Sequence, residues 1–155
     1  RIEAVWRGIL RDGSSYIRQE LTLRTLGDEL PVHEISLFDF HARNAMAPGT
    51  VRGTPIVIGD AYFAFEHPLA NNAVDGDRVR CRMPRTLPLR PGTTIEFSSV
   101  VGVTHPGQLR RDFLEYVERE RAHPYRTFLH YNSWYDIGYF NKYTEADALA
   151  AIAAF

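Results

Sequence analysis

Between Arg126 and Thr144 the chain reads RTFLHYNSWYDIGYFNKYT, and no other stretch concentrates so many groups able to grip a small polar ligand. Phe128, Tyr131, Trp134, Tyr135, Tyr139, Phe140 and Tyr143 are interleaved with His130, Asn132, Ser133, Asp136 and Asn141. An indole or phenol offers a flat apolar wall to such a ligand, while the polar tips and nearby amides take its hydrogen-bonding groups. Trp134 and Tyr135 are therefore the first candidates to touch substrate. Asp136 suits either acceptance of ligand hydroxyls or the holding of loop N–H groups. Asn132 is a weaker candidate, better suited to brace a neighbouring strand.

Glu66 and His67 follow the aromatic run Tyr62–Phe65, and a loop there could complete a ligand pocket. A turn stabilised by its own polar groups is the commoner use of such residues. His123 and His130 have no second ligand at a useful spacing, so structural roles are expected and neither a metal nor a cofactor is predicted. Cys81, the lone cysteine, lies in the basic run Arg78–Arg82, where an exposed thiol would be activated. Its alternation with Val79 and Met83 predicts a buried strand residue instead.

These groups must be positioned by elements that the hydrophobic pattern outlines. Six β-rich segments are expected, at Ile2 to Leu10, Tyr16 to Arg24, Val32 to Phe40, Pro55 to Phe65, Arg78 to Met83 and Thr94 to Val103. Asp12-Gly13, Gly27-Asp28, Pro48-Gly49, Asp75-Gly76 and Pro91-Gly92 supply turns between them. In the second segment Ile17, Leu21 and Leu23 share one face and Arg18, Glu20, Thr22 and Arg24 the other, which predicts a sheet packed on one side and wet on the other. The fold class predicted is mainly β, an antiparallel β-sandwich.

After Val103 the period becomes helical. Pro106 suits a first turn, and Leu109, Phe113, Tyr116 and Val117 recur at three- and four-residue spacing. Arg111, Glu115 and Arg119 are expected to form an exposed ion-pair ladder, and the charged set from Arg110 to Arg121 a solvated face. A strand from Thr127 to about Trp134 should follow. Thr144 then caps a second helix, with Glu145 and Asp147 in its first turn and Leu149, Ile152 and Phe155 on its apolar face. The expected division is a sandwich over residues 1–104, a linking helix over 105–124 and a strand–helix unit over 125–155. Such a unit cannot bury its strand alone, so the sequence reads as stopping after the first βα unit of a larger layer.

Composition narrows the partners. Of 155 residues, 18 are basic and 19 acidic, giving a formal charge of −1 with no block of one sign, and neither a nucleic acid nor an anionic membrane is predicted as partner. No apolar run reaches the roughly 20 residues that span a bilayer, and RIEAVWRGILRDG lacks the pattern of a secretion signal. Composition leaves the compartment open.

In order and spacing, YNSWYDIGYFNKYTEADAL resembles the first barrel strand, loop and helix start of glycoside hydrolase family 36, the α-galactosidases and relatives of clan D. Ala64-Phe65-Glu66-His67-Pro68 and Gly107-Gln108-Leu109-Arg110-Arg111 add weaker support. The resemblance implies an N-terminal sandwich, a linking helix and the first βα unit of a (β/α)8 barrel. It implies retaining hydrolysis of an α-linked galactoside or related sugar by two Asp residues on later barrel strands. The chain would then hold no catalytic residue, and would supply a sugar-contacting wall of Trp134, Tyr135, Asp136 and Asn132, with Glu66 and His67 reaching in from the sandwich. Two alternatives are a stand-alone carbohydrate-binding sandwich and a module that pairs with another subunit, including a homo-oligomer.

Overall fold

The computed structural model describes residues 1–154, which fall into two compact units, 1–121 and one beginning at Ala122. In the first unit, eight strands form two antiparallel sheets: β1 (Ile2–Leu10), β2 (Tyr16–Thr25), β3 (Glu34–His41), β4 (Ile56–Ile58), β5 (Ala61–Phe65), β6 (Asn71–Asp75), β7 (Arg78–Pro84) and β8 (Thr94–Val103). One sheet runs β1-β2-β8-β5-β4 and the other β3-β7-β6. The mainly β, two-sheet class expected from the alternation is thus the observed one.

Two differences have local causes. The expected strand from Pro55 to Phe65 is a hairpin of β4 and β5, because Gly59, at φ +59°, turns the chain so that Ile58 faces Ala61. Strand β6 is missing from the expectation, since Asn and Asp are poor strand formers. It forms because the Gly76 turn folds Asp75 against Arg78, and because the buried Asn72 amide accepts from the Phe65 N–H at 3.1 Å and donates to the Thr54 carbonyl at 3.0 Å.

Between the sheets lie Leu23, Ile35, Ile56, Phe65, Val79, Cys81 and Leu89, with Phe38 and Phe40 of β3 edge-on and tilted against Phe63 of β5. Full burial of each large side chain here contributes about 1.5–3 kcal/mol. Burial also pushes the Cys81 thiol up to about 12, so it behaves as a core residue, as the alternation predicted.

The outer face of the larger sheet is only partly wet. A helix, α1 (Leu109–Glu120), lays Leu109, Phe113, Tyr116 and Val117 over Tyr16, Tyr62, Ala64 and Val100, so it belongs to the same compact unit as the sheets. It starts after the Pro106-Gly107 turn rather than on Pro106. The expected ladder of Arg111, Glu115 and Arg119 does not form. Arg111 pairs with Asp112, and Arg119 donates to the Asp12 carbonyl at 2.8 Å, because those partners lie on the side of α1 that meets the sheet.

The second unit contains a four-residue helix, α2 (Ser133–Asp136), and a longer one, α3 (Glu145–Ala153). The strand expected from Thr127 to Trp134 is not formed; residues 122–132 are irregular. A strand needs a hydrogen-bonded neighbour, and no strand of the described residues lies in this unit to supply one. Helix α3 starts where expected, in a reciprocal box between Thr144 and Asp147. Leu149 and Ile152 are exposed on it, and the expected role of Phe155 lies outside the described residues.

Candidate functional site

Helix α2 exists because Asn132 caps it: the side-chain oxygen accepts the Trp134 N–H at 3.0 Å. Asn132 therefore holds its own loop rather than a neighbouring strand. Its cap fixes the backbone of Trp134, whose indole meets Tyr139 at 5.0 Å between ring centroids and Phe140 at 5.3 Å, both edge-on. Phe140 holds a left-handed φ of 58°, and Asn141 donates to the Ile137 carbonyl at 2.8 Å, which turns the chain back on itself. The result is a hollow of about 240 Å³ bordered by Ser133, Trp134, Phe140, Asn141, Lys142 and Tyr143. Trp134, Ile137, Gly138, Phe140 and the Tyr143 ring make most of the lining apolar, and the Ser133 hydroxyl, Asn141 amide and Lys142 ammonium are its polar groups.

The two aromatic residues singled out by sequence separate here. Trp134, exposed by 44%, lines the hollow, whereas Tyr135, at 78%, stands outside it against Tyr139. Asp136 is also outside, accepting the Tyr131 hydroxyl at 2.6 Å; that hydrogen bond pushes the Tyr131 phenol up to about 12. One carboxylate oxygen is thereby committed within the loop. Phe140, Asn141, Lys142 and Tyr143 were not among the sequence candidates, although all lie within the aromatic stretch. The signal that would have found them is Gly138, whose φ of 105° begins the reversal that brings them back to Trp134.

Glu66 and His67 sit in the first unit, at the end of β5. Arg18 grips both oxygens of Glu66 through its Nε at 3.0 Å and through Nη2 at 2.8 Å, and the Tyr116 hydroxyl donates to the same carboxylate. Arg18 reaches on to Glu120 of α1 at 3.2 Å, which also accepts from Tyr16 and Arg11. Burial alone would raise the Glu120 carboxyl; the hydrogen bonds from Tyr16 and Arg11 and the charge of Arg18 outweigh it and hold it below the usual range. Burial, then the bond to Glu66, pushes the Tyr116 phenol well up. This network pins α1 to the sheet. Glu120, expected on a solvated face, is instead among the more enclosed charges of the unit.

His67 is exposed and closes its turn by accepting the Leu69 N–H at 3.1 Å on Nδ1. Beside Glu66, a polar cavity of about 320 Å³ lies over the outer sheet face, lined by Arg7, Arg18, Glu20, Thr22 and Glu96 among others. Its arginines are already paired, Arg7 with Glu20 at 2.9 Å and Arg18 with Glu66. Among the described residues no group of three or more His, Cys, Asp or Glu is arranged to hold a metal, and no helix is long and apolar enough to cross a membrane. No protein-family model matches the chain, and no curated protein or solved structure does either.

Proposed function

We propose that this chain is the N-terminal part of a retaining α-galactosidase-like glycoside hydrolase, and that its second unit supplies one sugar-contacting wall. The observation that carries the reading is Trp134: a half-exposed indole, held by the Asn132 cap between Tyr139 and Phe140, facing a hollow edged with polar groups. It supports the sugar contact expected from the resemblance of YNSWYDIGYFNKYTEADAL to family 36. A pyranose would lay its C–H face on Trp134 and Phe140 and direct hydroxyls to Asn141, Lys142 and Tyr143. Tyr135, with Asp136 through its uncommitted oxygen, would contact a second part of an α-linked galactoside. In this reading the irregular run before Trp134 becomes the first barrel strand when neighbouring strands offer it a ladder.

Retaining hydrolysis requires two carboxyl groups roughly 5 to 5.5 Å apart on either side of the scissile bond. By the resemblance both belong to later barrel strands, so the chain binds without cleaving. The test uses a nitrophenyl α-galactoside and tryptophan fluorescence. We expect no turnover, with galactoside-dependent quenching that survives Trp6→Phe and is lost in Trp134→Ala. Robust turnover overturns the assignment of catalysis to later strands, and a Trp134 signal indifferent to sugar overturns the contact.

One observation favours a second reading, in which the second unit is a subunit-interaction module. Tyr125, Phe128, Leu129 and Phe140 are each at least 73% exposed, more apolar surface than a lone unit of this size ordinarily leaves in water. Concentration-dependent association abolished by Phe128→Ser and Leu129→Ser, without any response to sugar, would favour that reading over the first.

A further inference from the structure

The two ends of the five-stranded sheet are finished differently. At one end β4 is three residues long, and its outer side is occupied by Met46, which exchanges N–H···O bonds of 2.9 and 2.8 Å with Val57. At the other end β1 runs for nine residues in unbroken register with β2, and among the described residues no strand pairs with its outer side. Proteins usually guard such an edge with lysine, proline or a bulge. Strand β1, IEAVWRGIL, has no lysine, proline or bulge, its two charges, Glu3 and Arg7, are each already paired with β2, and it exposes Val5 by 48% and Trp6 by 60%.

The open backbone groups can be assigned. Leu26 donates to the Arg1 carbonyl at 2.9 Å and Ile2 faces Thr25, so bonding toward β2 falls on Arg1, Glu3, Val5, Arg7 and Ile9. Ile2, Ala4, Trp6 and Gly8 direct their N–H and C=O groups outward. A second copy pairing antiparallel must match the same set, which limits the two-fold registers to a few. Centred on Val5, the pairing sets Glu3 opposite Arg7 of the other copy, Ala4 opposite Trp6, and Ile2 opposite Gly8. Because Glu3 already pairs with Arg24 and Arg7 with Glu20, the outer face gains an alternating row of Arg24, Glu3, Arg7 and Glu20 that crosses the junction. On the other face the small Ala4 leaves room for the opposing Trp6, whose own ring already lies over Gly8. Centred on Trp6 instead, two indoles meet and no opposite charges face one another.

We propose that the chain self-associates through β1, two copies pairing these edges antiparallel about a two-fold axis at Val5 and joining their larger sheets into one. The charge and size complementarity of the strand with itself selects a second copy over any other occupant. This is independent of the sugar reading, which concerns only the second unit.

Sedimentation equilibrium of the chain is expected to show a monomer–dimer equilibrium. Lysine at position 5 sets two like charges together at the axis, and on an exposed edge it leaves the fold intact, so Val5→Lys should weaken the dimer roughly tenfold or more. Val5→Cys should oxidise to a covalent dimer, because residues at the axis of a non-hydrogen-bonded pair sit about 4.5 Å apart between Cα atoms. Leu10→Cys and Trp6→Cys should not, and Cys81 is buried and silent. A chain that stays monomeric to its solubility limit overturns the proposal, as does a dimer indifferent to Val5→Lys. Crosslinking through Trp6→Cys in place of Val5→Cys overturns the register.

Discussion

The two units spend their aromatic and charged residues in opposite ways. In the first, Phe113 and Tyr116 of α1 pack edge-on or tilted against Tyr16 and Tyr62 of the sheet, and the charges of Arg18, Glu66 and Glu120 close over one another. In the second, Tyr125, Phe128, Tyr135 and Phe140 face solvent and the polar groups bond mainly to their own loop. The residue types are similar and the outcomes differ because only the first unit has a sheet to lay them on. Aromatic density alone therefore says little about stability. It says more about where a ligand or partner can be met.

The sharpest way to break this contrast is to remove one group from each unit. Arg18→Ala leaves Glu66 and Glu120 enclosed without their shared cation, and should cost about 2–3 kcal/mol in urea unfolding, below the range for a fully buried pair because Arg18 keeps 19% of its side chain exposed. Trp134→Ala, at an exposed loop, should change the same midpoint by no more than about 0.5 kcal/mol. Comparable losses from both would show that the second unit is as tightly built as the first.

Acid should act on the first unit through Asp112. The His105 backbone N–H at 2.7 Å, the His105 ring at 2.8 Å and Arg111 hold its carboxyl down to about 2, against an ordinary 3.8. A group depressed in the folded state stabilises fully above its unfolded value and loses that contribution as pH falls through the folded one. Stability of the first unit should accordingly fall between about pH 4 and 2, and Asp112→Asn should flatten that limb. An unchanged acid limb in the variant would assign it to other carboxylates.

A local effect is expected at α3 of the second unit. Thr144→Ala removes the oxygen that accepts the Asp147 N–H and one half of the capping box, and should reduce the helical circular dichroism of α3, a change worth about 1 kcal/mol. No loss would mean that α3 is held by packing rather than by its cap.

What could be read in advance follows the same divide. Alternation placed β1, β2 and β8 within a residue of their ends and buried Cys81, because period-two burial leaves a mark on sequence. It overran Gly59 and overlooked β6, whose strand depends on Asn72 finding partners in Phe65 and Thr54, a matter settled far from Asn72 in sequence. Of the expected site, Trp134 lines the hollow, but Tyr135 and Asp136 were grouped with it only by adjacency. The reversal at Gly138 and Phe140 brings residues several positions later to Trp134 instead. Glu66 gave no sign that its partners would be Arg18 and Tyr116, each about 50 residues distant.

Tyr62 is seated on a vacancy. A β-carbon added to Gly102 would fall into the Tyr62 ring, inside a contact that no side chain makes, and the same ring packs against Phe113 and Tyr116 of α1. The helix is thus docked by an omission: one missing methyl in β8 sets the height at which three aromatic rings, and with them the whole of α1, can rest. The smallest residue of the central strand decides how close the largest ones come, and any heavier substitution there would act on the helix without ever touching it.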